Sequence, residues 1–444
     1  MSEQAPMRVL AWSELDAAAR EQLLGRGVTA IFDPKLRESI ELIVEDVREN
    51  GDAAVIAALA KFDGCEIAEG GLQVTEAEFA AARESVPAAV QEAIAEGIAN
   101  VRAFNEELTR EREWRVEIQP GLTVGEKSTA IASAGLFVPS GKGSFPSVLV
   151  QIGTPAVVAG VPEIAVVVPP VPGGAGEVDA AVLCAADQLG IRQIFRANGP
   201  AGVAALAFGT ESIPKVRKLL GPGSPPVQAA QIACQQYGCH TQMLLGPSES
   251  LILADDSADP RLLAADLLNE AEHGPDSASL LVTDSEALVE ATQIEIARQI
   301  AALPEPRRAY AHAALGENGG AIIVADLTEA ALVTNWYAPE HMQIVARDEE
   351  AVLAMIDHAG EVLLGQQTPV SLANYVIGVP AALPTGAFAR VTGGVTAETF
   401  LKKVSIAKAD AAALERLTPG ALALADHEGF PAHAAALRAR RSGS

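Results

Sequence analysis

A chain of 444 residues is too long for one ordinary core, so two larger units with smaller appendages are the expected division. Hydrophobic residues at 49% and charged residues at 20% exclude a disordered chain. The net charge of −25, with no basic stripe to neutralise phosphates, excludes a general nucleic-acid binder.

The chain opens without a charged start followed by an apolar signal region, and a cytoplasmic location is the expectation. From Pro34 to about Asn105 the pattern is helical, in "LRESIELIVEDVRENGDAAVIAALAKF" and "TEAEFAAARESVPAAVQEAIAEGIANVRAF", with Gly51 and Gly64 as stops. From Ile131 the texture changes. Short apolar runs ("AGLFV", "EIAVVVP", "QIFRAN") alternate with Ala-rich helical stretches ("SVLVQIGTPAVVAG", "AAVLCAADQLG", "GVAALAFGT"), which indicates a parallel sheet. The most apolar stretch, Phe145 to Val171, raises the question of a membrane span. Pro146, Pro155, Pro162, Glu163 and Pro169 interrupt it, so helix, turn and buried strand are predicted and no membrane partner is expected.

A second set follows: strand "SLILADD", a helix from Pro260 to His273, strand "ASLLVTD", a helix from Glu286 to Leu303, strand "AIIVAD" and later "MQIVA". Two α/β units are implied, and ligands are expected at the carboxyl ends of strands in each. No GxGxxG turn opens either one. The tail from about Thr392 reads as a separate helical piece, "AETFLKKVSI", "ADAAALERL", "ALALADHEG" and "PAHAAALRARR", whose final helix is too short to stand undocked. Cys65, Cys184, Cys234 and Cys239 form no regular framework, so free and mostly buried thiols are expected. The spacing of Cys234, Cys239 and His240 is loose for a metal site and no second pair exists.

Ionisable residues in apolar patterns mark the chemistry. In "NEAEHG", Glu270 continues the inward stripe of Leu263 and Leu267, with His273 one turn on. A carboxylate there needs a partner, because unpaired burial costs several kcal/mol or forces it to take a proton. His273, His341 and His433 stand out among seven histidines. Glu340 and His341 precede an apolar run, where acid and imidazole together suit proton transfer at a strand mouth; a solvated turn is the plainer reading. Asn374 and Tyr375 form a polar pair in "SLANYVIGVP" that could equally cap a turn.

The segments "LLGPSESLILADD", "ADLLNEAEHGPDS", "TNWYAPEHMQI", "LANYVIGVPAALPT", "TFLKKVSI" and "ADHEGFPAHAAALR" resemble the signature segments of the histidinol dehydrogenases, in family order, from about Ala132 to Arg441. The resemblance implies two Rossmann-like but incomplete α/β domains with parallel sheets, plus small helical N- and C-terminal segments. The expected boundaries are 1–25 for the N-terminal segment, 26–131 with 249–390 for a discontinuous first α/β domain with a helical lead-in, 132–248 for the second, and 391–444 for the C-terminal helical domain. Family members oxidise L-histidinol to L-histidine through an aldehyde, with NAD and one zinc ion per site. By resemblance the catalytic pair falls on Glu340 and His341, the glutamate activating water and the histidine accepting a proton. Ser248 and Glu428 match substrate-contacting positions, and Tyr375 is assigned with them. The zinc ligands fall on Glu270, His273, Asn374 and His433. A homodimer with shared active sites, in which the last domain supplies the partner's histidine at 433, is implied.

The chain departs from that pattern. Glu270 stands where the family has glutamine and Asn374 where it has aspartate, a reciprocal exchange that keeps the ligand charge at minus one and an oxygen at each position. Retained zinc is the expectation; the competing reading is two drifts that lost the metal. Pro380 and Ala381 replace the family's Asn-His before "LPT", which removes a substrate-facing imidazole. On the cofactor side, Phe137, Gly202 and Ser224 replace tyrosine, glutamine and asparagine, and Lys142 is offered for a phosphate. The expected function is NAD-dependent oxidation of a primary alcohol that is not histidinol, to the aldehyde or onward to the carboxylate. The alternatives are a true L-histidinol dehydrogenase of histidine biosynthesis, a metal-dependent hydrolase or lyase on the same scaffold, and a non-catalytic binding protein.

Overall fold

The computed structural model describes residues 6–24, 31–140, 143–242 and 246–440. Contacts divide the chain into two units, Met1–Glu107 with Ile131–Phe400, and Leu108–Ala130 with Leu401–Ser444.

The first unit holds two parallel sheets covered by helices, the α/β architecture that the alternation predicted. The larger has six strands, in spatial order Val9–Ala11, Gly320–Ile323, Ala278–Thr283, Glu249–Ala254, His341–Val345 and Glu361–Leu364. Every residue of Glu249–Ala254 and Ala278–Thr283 is buried, as strands covered on both faces require. The smaller has four, in the order Gln193–Arg196, Ile164–Val168, Ala134–Phe137 and Lys218–Leu220. Helices between strands start where capping side chains allow. Asp259 accepts from the Arg261 N–H ahead of the Pro260–Ala271 helix, and Asp326 accepts from the Glu329 N–H ahead of Leu327–Tyr337.

The stretch from Phe145 folds as helix Pro146–Ala159, a left-handed turn at Gly160 and strand Ile164–Val168. No helix among the described residues is long and apolar enough to cross a membrane. The long lead-in helix, Pro34–Ala58, does not stop at Gly51. It kinks there, at φ 55°, and continues. Its inward residues Ile40, Val44, Val47 and Val55 share a core with Phe137, Val167 and Phe195, so this helix packs on the four-stranded sheet rather than on the six-stranded one with which the sequence grouped it.

The second unit departs from the expected helical tail. "LKKVSIAKA" is a strand, Leu401–Ala409, paired antiparallel with Leu122–Ala130, which pairs in turn with Glu113–Gln119; helices Ala411–His427 and Pro431–Arg438 follow. Alternation of Trp114, Val116 and Ile118, closed by Pro120-Gly121, was the hairpin signal that helical pattern reading passed over.

Candidate active site

The two sheets of the first unit flank one cavity of about 580 Å³. The four-stranded sheet meets it with carboxyl ends. Numbered along the chain, its strands lie third, second, first, fourth, so the order reverses between Ala134–Phe137 and Lys218–Leu220. Phe137 and the turn Pro222–Ser224, on either side of that reversal, line the cavity. The turn passes close over the first strand: a Cβ on Gly221 would stand 2.1 Å from the Phe137 carbonyl oxygen, at a φ of +147°. Helices Pro146–Ala159, Gly199–Phe208 and Pro225–Gln235 all begin beside this end, with Phe145, Asn198 and Ser224 as their N-caps in the cavity wall.

The six-stranded sheet presents its amino ends, opposite to the carboxyl-end placement expected for it. Ser248 precedes Glu249–Ala254, and Glu340 and His341 open the His341–Val345 strand. The approach to that strand is sharp, with Ala338 in the left-handed region at φ 51°. Glu340 is 8% and His341 4% exposed. The Glu340 carboxylate accepts the Glu249 N–H at 2.9 Å through Oε2, and its Oε1 lies 3.8 Å from His341 Nε2. His341 Nδ1 is hydrogen-bonded to Glu361 Oε1. Burial pushes the Glu340 carboxyl up to about 8, against the pull of His341. Burial alone would lower His341, but the carboxylates of Glu340 and Glu361 outweigh it and hold the imidazole up at about 10. The groups bind protons as a pair, and the direction for both is upward.

Around the end of the Pro260–Ala271 helix, Glu270 is 1% exposed on the stripe of Leu263 and Leu267. Its Oε1 accepts the Asn374 Nδ2–H at 3.2 Å, and its Oε2 lies 3.4 Å from His273 Nδ1. The turn carrying Asn374 is held from two sides. Gln151 Nε2 donates to the Ala373 carbonyl at 3.3 Å, and Asn100 Nδ2 to the Val376 carbonyl at 2.7 Å. Among the described residues no three His, Cys, Asp or Glu side chains are grouped to hold a metal ion by themselves. The Glu270, His273 and Asn374 cluster has two such residues and an amide.

The structure brings Glu340, His341, Ser248, Tyr375, Glu270, His273, Asn374, Phe137 and Ser224 to one cavity. Gly202 does not line it; it is buried in the Gly199–Phe208 helix, where a Cβ would meet Ala197 at 3.2 Å. Glu428 and His433 belong to the second unit and are exposed there, and the cavity wall is built from the first unit alone. Lys142 lies outside the described residues. Arg307 is the only arginine or lysine in the described wall, its Nη1 donating to the Glu272 carbonyl at 2.7 Å. Ala381 lines the cavity where the resemblance led to an imidazole. Sequence reading missed Glu249 and Glu361. A single carboxylate at the head of each apolar run, "ESLILA" and "EVLL", was the available signal.

Residues 29–441 match the family described as histidinol dehydrogenase. The chain is 43% identical over 424 residues to histidinol dehydrogenase homolog 2 of Mesorhizobium japonicum, covering 95% of each protein. It is 39% identical over 435 residues to the histidinol dehydrogenase of Xanthomonas euvesicatoria pv. vesicatoria, covering 98% of this chain and 99% of that one. The crystal structure of histidinol dehydrogenase from Elizabethkingia anophelis superposes with a TM-score of 0.92 at 30% identity, covering 98% of both chains.

Proposed function

The chain belongs to the histidinol dehydrogenase family, and we propose that within it this protein is an NAD-dependent dehydrogenase of a small primary alcohol other than histidinol. The observation that carries the proposal is the buried Glu340–His341 pair on the wall of a cavity whose other wall is the reversal point of a parallel sheet.

The carboxyl-end wall fits a dinucleotide. Positive helix dipole ends favour phosphates there, and Ser140 and Ser224 add hydroxyl donors, the Ser144 hydroxyl being given to Asp179 and the Asn198 amide to Asp63. NAD, when bound, supplies the hydride acceptor. At the amino-end wall, Glu270, His273 and Asn374 offer carboxylate oxygen, imidazole nitrogen and amide oxygen within reach of one another, a donor set that suits zinc. They would hold the ion with His433 of a second copy as fourth ligand, and zinc, when bound, polarises the substrate oxygen. The C-terminal end of the Pro260–Ala271 helix favours a cation at that place.

The chain's own groups handle protons. With Nδ1 engaged by Glu361, Nε2 is the ring atom of His341 left to take the proton of a bound alcohol. Glu340, beside it, is placed to deprotonate water in the second oxidation. Because His341 binds its proton above the usual imidazole range, alcohol oxidation gains rate as pH rises. Ala381 leaves an apolar wall and added room where the resemblance puts an imidazole, so an apolar side group is accommodated in place of the histidinol ring. Exposed Trp114, Val116, Ile118, Leu424 and Phe430 in the second unit favour a homodimer, since such apolar area is rarely left uncovered.

The test is NADH formation by the zinc-loaded full chain across a panel of small primary alcohols that includes histidinol. Turnover of one non-imidazole alcohol well above histidinol supports the reading. Preferred turnover of histidinol overturns the substrate, and hydrolysis or elimination without NADH overturns the class.

A further inference from the structure

The strand Glu361–Leu364 lies parallel to His341–Val345 with residue 361 directly opposite 341. The two strand starts are locked together. The Gly360 N–H donates to the Pro339 carbonyl at 2.9 Å, and the Glu361 N–H donates to the Glu340 carbonyl at 3.1 Å. Only glycine permits this approach, because a Cβ at position 360 would stand 2.4 Å from the Glu340 carbonyl oxygen. Side chains opposite each other on one face of a sheet are neighbours, so the lock delivers the Glu361 carboxylate to the His341 ring.

Glu361 Oε1 takes the hydrogen bond of His341 Nδ1, and both side chains are 4% exposed. The second oxygen, Oε2, is buried and has no hydrogen-bond partner among the described residues. A buried carboxylate with one partner is expensive, and an apolar residue would pack this strand better, since Val362, Leu363 and Leu364 complete it. The cost is explained if the partner must be held. Glu340 cannot serve in its place. It faces the other ring nitrogen, and its Oε2 is bound to the Glu249 N–H.

We propose that Glu361 is the positioning residue of His341: its carboxylate keeps the proton on Nδ1 and turns Nε2 toward the cavity. The inference rests on the reading of His341 as proton acceptor in alcohol oxidation. A ring held this way cannot turn over without stranding the carboxylate, and a negative charge at Nδ1 strengthens Nε2 as a base.

The experiment uses the full chain labelled with ¹⁵N-histidine, His341→Asn identifying which ring signals belong to residue 341. In the native protein Nδ1 of His341 is expected to be protonated, with its proton resonance far downfield. In Glu361→Gln that resonance is lost and the ring gives up its proton at lower pH. In the NADH assay the same variant is expected to lose roughly 10- to 100-fold in kcat, as loss of an outer partner commonly costs, with KM for NAD unchanged. The rising limb of its pH–rate profile moves to lower pH. An unprotonated Nδ1 in the native protein, or ring signals and a pH profile unaltered in Glu361→Gln, overturns the proposal. If Glu361→Gln fails to fold, the native ring decides alone. If no alcohol reduces NAD, the proposed function falls while the ring signals still decide the pairing.

Discussion

The two sheets of the first unit face one cavity with opposite ends, and the chemistry of each wall follows. At the carboxyl ends of the four-stranded sheet, helices begin, the lining is Ser, Asn, Gly and Pro, and the local field suits an anion. At the amino ends of the six-stranded sheet, the helices Pro260–Ala271 and Leu327–Tyr337 finish, Glu270, Glu340 and Glu361 are buried, and the field suits a cation or a proton. A reaction that sends a hydride toward a phosphate-bearing cofactor and a proton the other way needs this asymmetry. One polarity at both walls would serve binding but not the separation of charges.

The sharpest way to break the comparison is at the proton-handling wall. His341→Asn removes the ring and leaves two buried carboxylates without it. We expect kcat for alcohol oxidation to fall by about 10² to 10⁴, the span ordinary for a positioned general base, with KM for NAD little changed. A loss of a few-fold would mean that the amino-end wall does not carry proton transfer. Next in size is the cation site. Glu270→Ala takes the only carboxylate from the Glu270, His273, Asn374 cluster, and its zinc affinity, read by elemental analysis after dialysis against a chelator series, should drop by at least roughly 10- to 100-fold. Equal zinc in native and variant protein would remove the ligand assignment.

Much of this was legible in the sequence because the signals were periodic. Runs such as "EIAVVVP" and "SLILADD" report strands buried on both faces, and Leu263, Leu267 and Glu270 share a stripe that the helix places inward. What was not legible depends on contacts distant in sequence. Which end of the larger sheet meets the cavity is set by packing against the smaller sheet, not by any residue within it. Glu361 becomes meaningful only through its register with His341, across a short strand that pattern reading passed over. The strand Leu401–Ala409 was misread as helix since its partner, Leu122–Ala130, lies far earlier in the chain.

A smaller effect should appear in stability against pH. His341 is held above its unfolded value of 6.5, so the proton bound in the fold stabilises fully below that value and its contribution is lost as pH climbs toward about 10. Glu340 works in the same direction: buried, it keeps a proton up to about 8 that the unfolded chain releases near 4.5. Stability should therefore fall as pH rises above neutrality. A loss of ~1 kcal/mol moves Tm by roughly 2–4 °C in a domain of about 150–250 residues and by less in a larger unit, so a shift of about 1–2 °C per kcal/mol is expected here. Thermal melts from pH 6 to 10 check this, with Glu361→Gln expected to flatten the slope; a native Tm that rises over that range would contradict the pairing.

The smallest expected effect tests the opposite wall. Ser224 is exposed, lines the cavity, and as N-cap of Pro225–Gln235 makes no side-chain capping bond, so Ser224→Ala should leave the fold and Tm unchanged. If this hydroxyl donates to the cofactor, one neutral hydrogen bond of about 0.5–1.5 kcal/mol is lost and KM for NAD rises by roughly 2- to 10-fold, with kcat retained at saturation. A fall in kcat at constant KM would place Ser224 with the reacting groups, and the division of labour between the two walls would have to be redrawn. An unchanged KM would instead leave the N-terminal ends of helices Pro146–Ala159 and Gly199–Phe208 as the principal hold on the phosphates, since Pro225 and Pro226 have no N–H to offer, which keeps the polarity of the wall but moves its chemistry from side chain to main chain.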